Sequence, residues 1–477
     1  MKKRKLDEVN EELNGLRHTV LYIYIIMCTV CMAPNKSSAQ TRTGYFIDSY
    51  ALSHEINPAL QPDSGYMSLP LLGSTNIGVQ STMALSDILF ENADGSLTTF
   101  MSKGTISKAK LMEKVGNGAK TNADFKLTLL SMGKRITPDK YLTASMSIKS
   151  KAQTWLPKGL FDCMKEVENR NYNIGDVRGR ATAYVELAAG MSMRKNEHLT
   201  IGAKTKLLVG LMNADVKVNG LCLNTSGDTE WMASGKAEAN VAGLNYTTEE
   251  KTYSKRPGTY QQVDGVKWDG LKPSGIGLAI DLGATYKLNN RWTFSAAITD
   301  LGLIAWTGNH KAQNAEDSFT FGGFHDVEVE KGDENSLKNQ WDAISDDLKD
   351  LAHLEESGNN SHTQMLGATF TTAAEYDLKD KVGMTLGTIL THRLDGKFSW
   401  TEMRINGTYI PKHLPLSGAL SPAISTFGMS LGMMATVSPS KNTTIFIGSD
   451  YLFFKVNPQM IPTSLNGNVS LGMTISL

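Results

Sequence analysis

One stretch limits the possible folds more than any other: residues 274–306, SGIGLAIDLGATYKLNNRWTFSAAITDLGLIAW. Ile276, Leu278, Ile280, Leu282, Ala284, Tyr286 and Leu288 share one parity, while Gly277, Ala279, Asp281, Gly283, Thr285 and Lys287 hold the other. Asn289-Asn290-Arg291 then makes a tight turn, because asparagine tolerates left-handed backbone conformations. Trp292, Phe294, Ala296 and Ile298 resume the alternation against Thr293, Ser295, Ala297 and Thr299. Period two puts alternate residues on opposite faces of a sheet, here one apolar and one polar. Each arm exceeds the roughly 5–6 residues of an average soluble strand. Each also reaches the about 9–11 residues with which a tilted strand crosses a bilayer. The stretch predicts one hairpin of a membrane β-barrel.

The rest of the chain can be tested against that hairpin. It carries 48 basic and 48 acidic residues, a balance that gives no reason to expect nucleic acid as a partner. It contains no uncharged apolar run of about eighteen residues, which excludes a conventional transmembrane helix. Glycine is abundant at 43 and proline scarce at 14, as long β-strands require. Residues 1–39 read as an export signal. Lys2, Lys3, Arg4, Lys5 and Arg17 precede the apolar stretch 20–32, and Ser37-Ser38-Ala39 offers small residues at a cleavage position. Removing this segment leaves 42 basic against 44 acidic residues. Cys28 and Cys31 fall inside the signal. Cys163 and Cys222 then remain, either paired in an oxidising compartment or as two incidental thiols.

Residues 40–65, with Pro58 and Pro62, do not read as a barrel strand, and Asn57-Pro58 favours a turn. We expect a hatch-like segment folded into or under the pore, followed by the barrel over 66–477. A weakly alternating first crossing spans 66–84. A short helix is expected near 106–115 within a long excursion. Hairpins then follow at 124–149, 180–211 and 274–306, and further strands at 364–377, 381–391, 398–410, 414–422, 427–437, 442–455 and 468–477. Residues 243–274 read as polar loop. The segment 311–360 holds thirteen acidic and four basic residues. Leu337, Trp341, Ile344, Leu348 and Leu351 recur there at helical spacing, so the external loop 305–363 is expected to carry a helix near 336–356.

Three features favour a barrel in lipid over a soluble sandwich. Charges within strands fall opposite the aliphatic face: Glu186, Lys204, Lys206, Asp281, Lys287, Glu375, Glu402, Arg404 and Asp450. A mid-membrane Lys or Arg on the outer face would cost about 2–4 kcal/mol. Short and long turns alternate, as periplasmic turns and external loops do in outer-membrane barrels. The chain stops on a strand, which closure onto the first strand would satisfy. The expected fold is all-β: a transmembrane antiparallel β-barrel of fourteen strands, with 212–242 as an external extension. It has sixteen strands if 212–242 crosses twice.

INPAL at residues 56–60 resembles the N-P-A signature of Bacteroidetes outer-membrane barrels of the PorP/SprF, PorV and FadL-like kinds. Gly65-Tyr66-Met67-Ser68-Leu69-Pro70-Leu71-Leu72-Gly73, LAIDLGATYKL, TDLGLIAW and GSDYLFFKVNPQMIP resemble an uncharacterised Bacteroides barrel family over essentially the whole mature chain. The resemblance implies an outer-membrane location. It also implies either FadL-like passage of a small hydrophobic molecule, or a non-transporting envelope-protein partner or scaffold, as in type IX secretion or surface assembly. No nucleophile elbow, P-loop or metal-protease motif appears, so neither an enzyme nor a cofactor is expected. His310, His325, His353 and His362 in or beside the acidic loop are a conceivable metal set, with a solvated loop as the bland alternative. The candidate functional residues are the hatch, Asn57, Pro58 and Ala59, and the lumen-facing Glu186, Lys204, Lys206, Asp281, Lys287, Glu402, Arg404 and Asp450. The lumen set lines a polar path or fills and stiffens the barrel. The hatch either shifts to open a path or rigidly caps one end.

Overall fold

In the computed structural model the 274–306 hairpin has its apolar parity outward and its polar parity inward. Leu278 is 67 % exposed and Asp281 1 % exposed. A water-soluble sheet would bury the leucine, so the inversion identifies the outer face as the apolar one. The structure describes residues 42–68, 73–91, 97–102, 104–165, 168–225, 231–253, 256–268, 270, 272–314, 318–321, 354–411, 414–440, 442–452 and 463–477. The export-signal reading of 1–39 lies outside them.

Fourteen antiparallel strands close on themselves. They are β1 (Tyr66–Ser68 and Ser74–Ser81), β2 (Gly118–Thr137), β3 (Lys140–Pro157), β4 (Asn171–Arg194), β5 (Leu199–Asn224), β6 (Gly275–Lys287) and β7 (Trp292–Trp306). These are followed by β8 (His362–Met365 and Ala368–Leu378), β9 (Met384–Leu394), β10 (Trp400–Tyr409), β11 (Leu416–Ser425), β12 (Gly428–Ser440), β13 (Thr443–Ser449) and β14 (Gly467–Ser476). Closure is made by β1, which pairs with β14 on one side and β2 on the other. Among the described residues each strand of the barrel pairs on both sides, which is what a hydrocarbon surrounding demands.

Of the two strand counts, fourteen is the one found. The 212–242 segment is an extension: β4 and β5 run 24 and 26 residues, far beyond what one bilayer crossing uses. Above the barrel the upper half of β5 pairs with Trp231–Ala242. That strand pairs in turn with Asn309–Asn314, which pairs with Leu354–Asn359. Residues 243–274 are not simply loop. Leu244–Tyr253 and Arg256–Trp268 form a hairpin, which hydropathy missed because it has no apolar face. The expected helix over 336–356 lies outside the described residues apart from 354–356, which open a strand. A short helix, α1 (Lys108–Val115), stands where expected, and α2 (Lys158–Lys165) packs beside it at the long-loop end.

One irregularity resets the parity of β7. Asp300 has φ 59°, a left-handed conformation that Asp tolerates better than most residues. The register slips by one between Ile280 and Leu282. This bulge keeps Leu301 and Leu303 on the outside with Trp292 and Phe294, and it turns the Asp300 carboxylate toward the inner wall.

Candidate functional site

The segment from Arg42 to the start of β1 lies inside the barrel. It turns through two short 3-10 pieces, Arg42–Gly44 and Ala51–Glu55. The side chains of Tyr45, Phe46, Ile47, Tyr50, Leu52 and Ile56 are buried against inward residues such as Ala373, Ile389, Ala419, Met434 and Phe446. At about 1.5–3 kcal/mol for each fully buried side chain, these six contribute roughly 10 kcal/mol or more. Ejecting the whole plug is therefore too costly to be a routine step.

Asn57, Pro58 and Ala59 form its tightest turn. The Asn57 Oδ1 accepts the Ala59 N–H at 3.0 Å across Pro58, which has no N–H of its own. Asn57 Nδ2 donates to the Tyr45 hydroxyl at 3.1 Å, and that hydroxyl meets Ser295 Oγ at 2.8 Å. The turn rests on two inward glycines. A Cβ at Gly202 would lie 2.5 Å from Ala59 N, and one at Gly283 2.9 Å from Pro58 Cδ. Only glycine lets the wall come this close to the turn.

Two charged groups hold the ends of the segment. At its start Arg42 Nη1 pairs with Glu402 Oε1 at 3.0 Å and stacks over Trp400. The Thr43 N–H donates to Asp450 Oδ1 at 2.9 Å. Arg404 Nη2 donates to Glu402 Oε1 at 3.1 Å, its Nη1 to Ser421 Oγ at 2.8 Å, and the Tyr451 hydroxyl to Glu402 Oε2 at 2.7 Å. At the other end Glu55 pairs with Lys126 at 2.5 Å. Lys204 Nζ lies 3.3 Å from His54 Nδ1, while His54 Nε2 bonds the Tyr66 hydroxyl. Burial, reinforced by the neighbouring Lys204, lowers the His54 pKa to about 3, so the ring is neutral. Burial alone would raise Glu55, but Lys126 and the other basic neighbours together more than offset it and hold the carboxyl at about 2.

A third group belts the wall. Lys206 Nζ sits 2.7 Å from Asp281 Oδ1 and 2.6 Å from Asp300 Oδ1, and Lys149 sits 2.7 Å from Glu186 Oε2. Asp281 Oδ1 also accepts the Asp300 N–H at 2.8 Å, so the bulge and the belt hold each other. Of the eight sequence candidates for the lumen, Glu186, Lys204, Lys206, Asp281, Glu402, Arg404 and Asp450 are buried inside. Lys287 is the exception: it keeps the parity but ends β6 at the rim and is exposed. There its backbone N–H bonds His198 O.

Between plug and belt lies a cavity of about 150 Å³. Arg42 and Ile56 of the plug form one side, and β2, β3, β4, β7, β8, β9 and Trp400 at the start of β10 supply the rest. At the long-loop end the β9–β10 connection bends back over the lumen. Arg180 Nη1 pairs with Asp395 Oδ1 at 2.9 Å, Gln153 Nε2 donates to Asp395 Oδ2 at 3.3 Å, and Arg180 stacks on Phe398. The sequence reading chose none of the cavity cations Lys126, Lys149, Lys151, Arg180 and Arg393 as lumen candidates. Lys149 stands on the polar parity of β3, but Lys151 lies past the expected end of that strand. Arg42 and Asp300 were also missed; only Asp-Leu-Gly at 300–302 hinted at the bulge.

Of the histidine set, His310 and His362 have separate carboxylate partners, Glu356 and, at 3.4 Å, Asp215, while His325 and His353 fall outside the described residues. Among the described residues no group of three or more His, Cys, Asp or Glu side chains is placed to hold a metal. Cys163 and Cys222 are free thiols.

No curated protein matches the sequence. Among solved structures the chain is similar to the Ralstonia pickettii toluene transporter TbuX, at 9 % identity and a TM-score of 0.42, over 90 % of this chain and 94 % of that one. It is also similar to the Pseudomonas putida toluene transporter TodX, at 8 % and 0.39 over 92 % and 95 %. A Pseudomonas aeruginosa FadL homologue gives 11 % and 0.35 over 87 % and 89 %. Residues 58–450, most of the chain and nearly all of its barrel, match one family model, and the protein belongs to that family of unknown function, DUF5723.

Proposed function

We propose that this protein is an outer-membrane barrel that passes a small solute through a lumen closed at its short-turn end by the plug, with Asn57-Pro58-Ala59 as the part that shifts. The observation that carries this reading is the cavity bounded on one side by the plug residues Arg42 and Ile56. Ile56 is the immediate neighbour of Asn57, so a displaced turn would open that side of the cavity. The turn is held by a few hydrogen bonds, each worth about 0.5–1.5 kcal/mol net, whereas the rest of the plug is held by far more. The outward rows of Leu, Ile, Met and Phe support a lipid surrounding.

The hydrophobic cargo implied by the sequence resemblance finds little support in the cavity, whose wall carries arginine and lysine side chains. A polar solute suits it better. The alternative of a non-transporting scaffold draws on the sheet that stands beyond the barrel, a surface on which an envelope protein could be held.

Conductance across a planar bilayer separates the two. The intact chain should be closed with brief openings, and a chain lacking residues 42–60 should conduct steadily. A plugless barrel that inserts and stays silent would refute passage and leave the scaffold.

A further inference from the structure

Resting on the passage reading, we propose that the cavity is a binding subsite for a small oxyanion, a carboxylate or phosphate, with Lys151, Arg180 and Arg393 as its recognition groups. The lining carries six cations, Arg42, Lys126, Lys149, Lys151, Arg180 and Arg393, against two carboxylates, Asp124 and Asp300. Arg42, Lys126 and Lys149 are already matched by Glu402, Glu55 and Glu186. The other three are not fully matched. Arg180 and Arg393 share Asp395 at 2.9 and 3.4 Å, and the Asp215 carboxylate that stands 3.8 Å from Arg180 Nε is already held by Lys217 at 2.9 Å. Lys151 Nζ stands 3.6 Å from Asp124 Oδ1, beyond hydrogen-bond reach, with its side chain 26 % exposed.

Two polar atoms of the lining remain unspent. Arg180 Nε and Thr391 Oγ1 are buried without a hydrogen-bond partner, and both can donate. A buried donor left unsatisfied costs free energy that a bound acceptor would recover. Lys151 on β3 and Arg393 on β9 come from strands well apart in the barrel, so an anion between them would be gripped from two walls. A cavity of about 150 Å³ is well above the about 10–15 Å³ that a single water needs, so an ion of a few heavy atoms fits.

The experiment is calorimetric titration of the detergent-purified whole chain with inorganic phosphate and, separately, acetate; the two arms tell which oxyanion is preferred. Saturable binding of at least one is expected. Lys151→Gln should weaken it by about tenfold or more, as loss of a charge-assisted hydrogen bond does. Asp124→Asn, which removes a competing carboxylate from the lining, should strengthen it, an effect that misfolding does not mimic. No binding by either anion, or an Asp124→Asn variant that binds no better than the wild type, would overturn the assignment. Binding is read without any membrane. Flux without anion binding therefore sinks this inference alone, and anion binding without flux sinks the passage reading alone.

Discussion

Replacing Gly202 by alanine places a methyl group where the structure leaves no room. The added Cβ would crowd Pro58 O more closely still than Ala59 N, which it meets at 2.5 Å against 3.4 Å for ordinary contact, so the turn must retreat by more than 0.9 Å. Gly283→Ala presses the same turn from the neighbouring strand, most closely on Asn57 Oδ1 and also on Pro58 Cδ at 2.9 Å. Overpacking of this kind costs about 1–3 kcal/mol. The barrel hydrogen bonds involve backbone that alanine supports equally well, so the cost falls on the seated turn. A shift of that size moves a two-state equilibrium by about 5–150-fold. Single-channel recording should show the open fraction of Gly202→Ala rising within that range, with Gly283→Ala in the same direction. Gly407→Ala is the control, since its Cβ would meet nothing nearer than 3.9 Å. Identical open fractions in all three variants and the wild type would refute the reasoning that the turn closes the lumen.

Four further outcomes follow from the same contacts. Asp281→Ala leaves Lys206 paired with Asp300 but strips the part-buried Asp300 N–H of its acceptor; a loss of about 1–3 kcal/mol is expected, read as unfolding at lower urea. Acid should loosen the plug. His54 is held at about 3 and Glu55 at about 2, both below the ordinary values of 6.5 and 4.5, so a released segment binds protons that the seated one refuses. The seated state therefore loses stability as pH falls, from about 6.5 through His54 and from about 4.5 through Glu55; open fraction against pH checks this, and His54→Gln should remove the upper part of the response. Lys287→Gln should change neither stability nor conductance, because the side chain is exposed at the rim. A maleimide should label Cys222 before Cys163, whose thiol is buried and pushed by that burial up to about 11.

How much of this was legible in the sequence follows from which signals are local. Strand parity is local, so the inward Glu186, Lys206, Asp281, Glu402, Arg404 and Asp450 could be read from alternation alone. Asn57-Pro58 announces a turn for the same reason. The upper half of β4 was not legible, since a strand beyond a membrane needs no apolar face, whereas the upper half of β5 was read as part of the 212–242 extension. Lys287 could not be told from Asp281 by parity, because distance along the strand decides which one reaches water. The plug's partners were hidden most deeply. Arg42 meets Glu402 and Asp450 only after the barrel has closed, and no spacing in a linear chain encodes that encounter.

The central claim is that a small lumen cavity behind a movable turn lets a small solute cross the membrane. Its most direct test is solute entry into liposomes that hold the purified whole chain, with heat-modifiable gel migration confirming the folded barrel. Solutes of a few heavy atoms are predicted to enter faster than a disaccharide. No entry of any solute, or entry at equal rates whatever the size, would contradict the account.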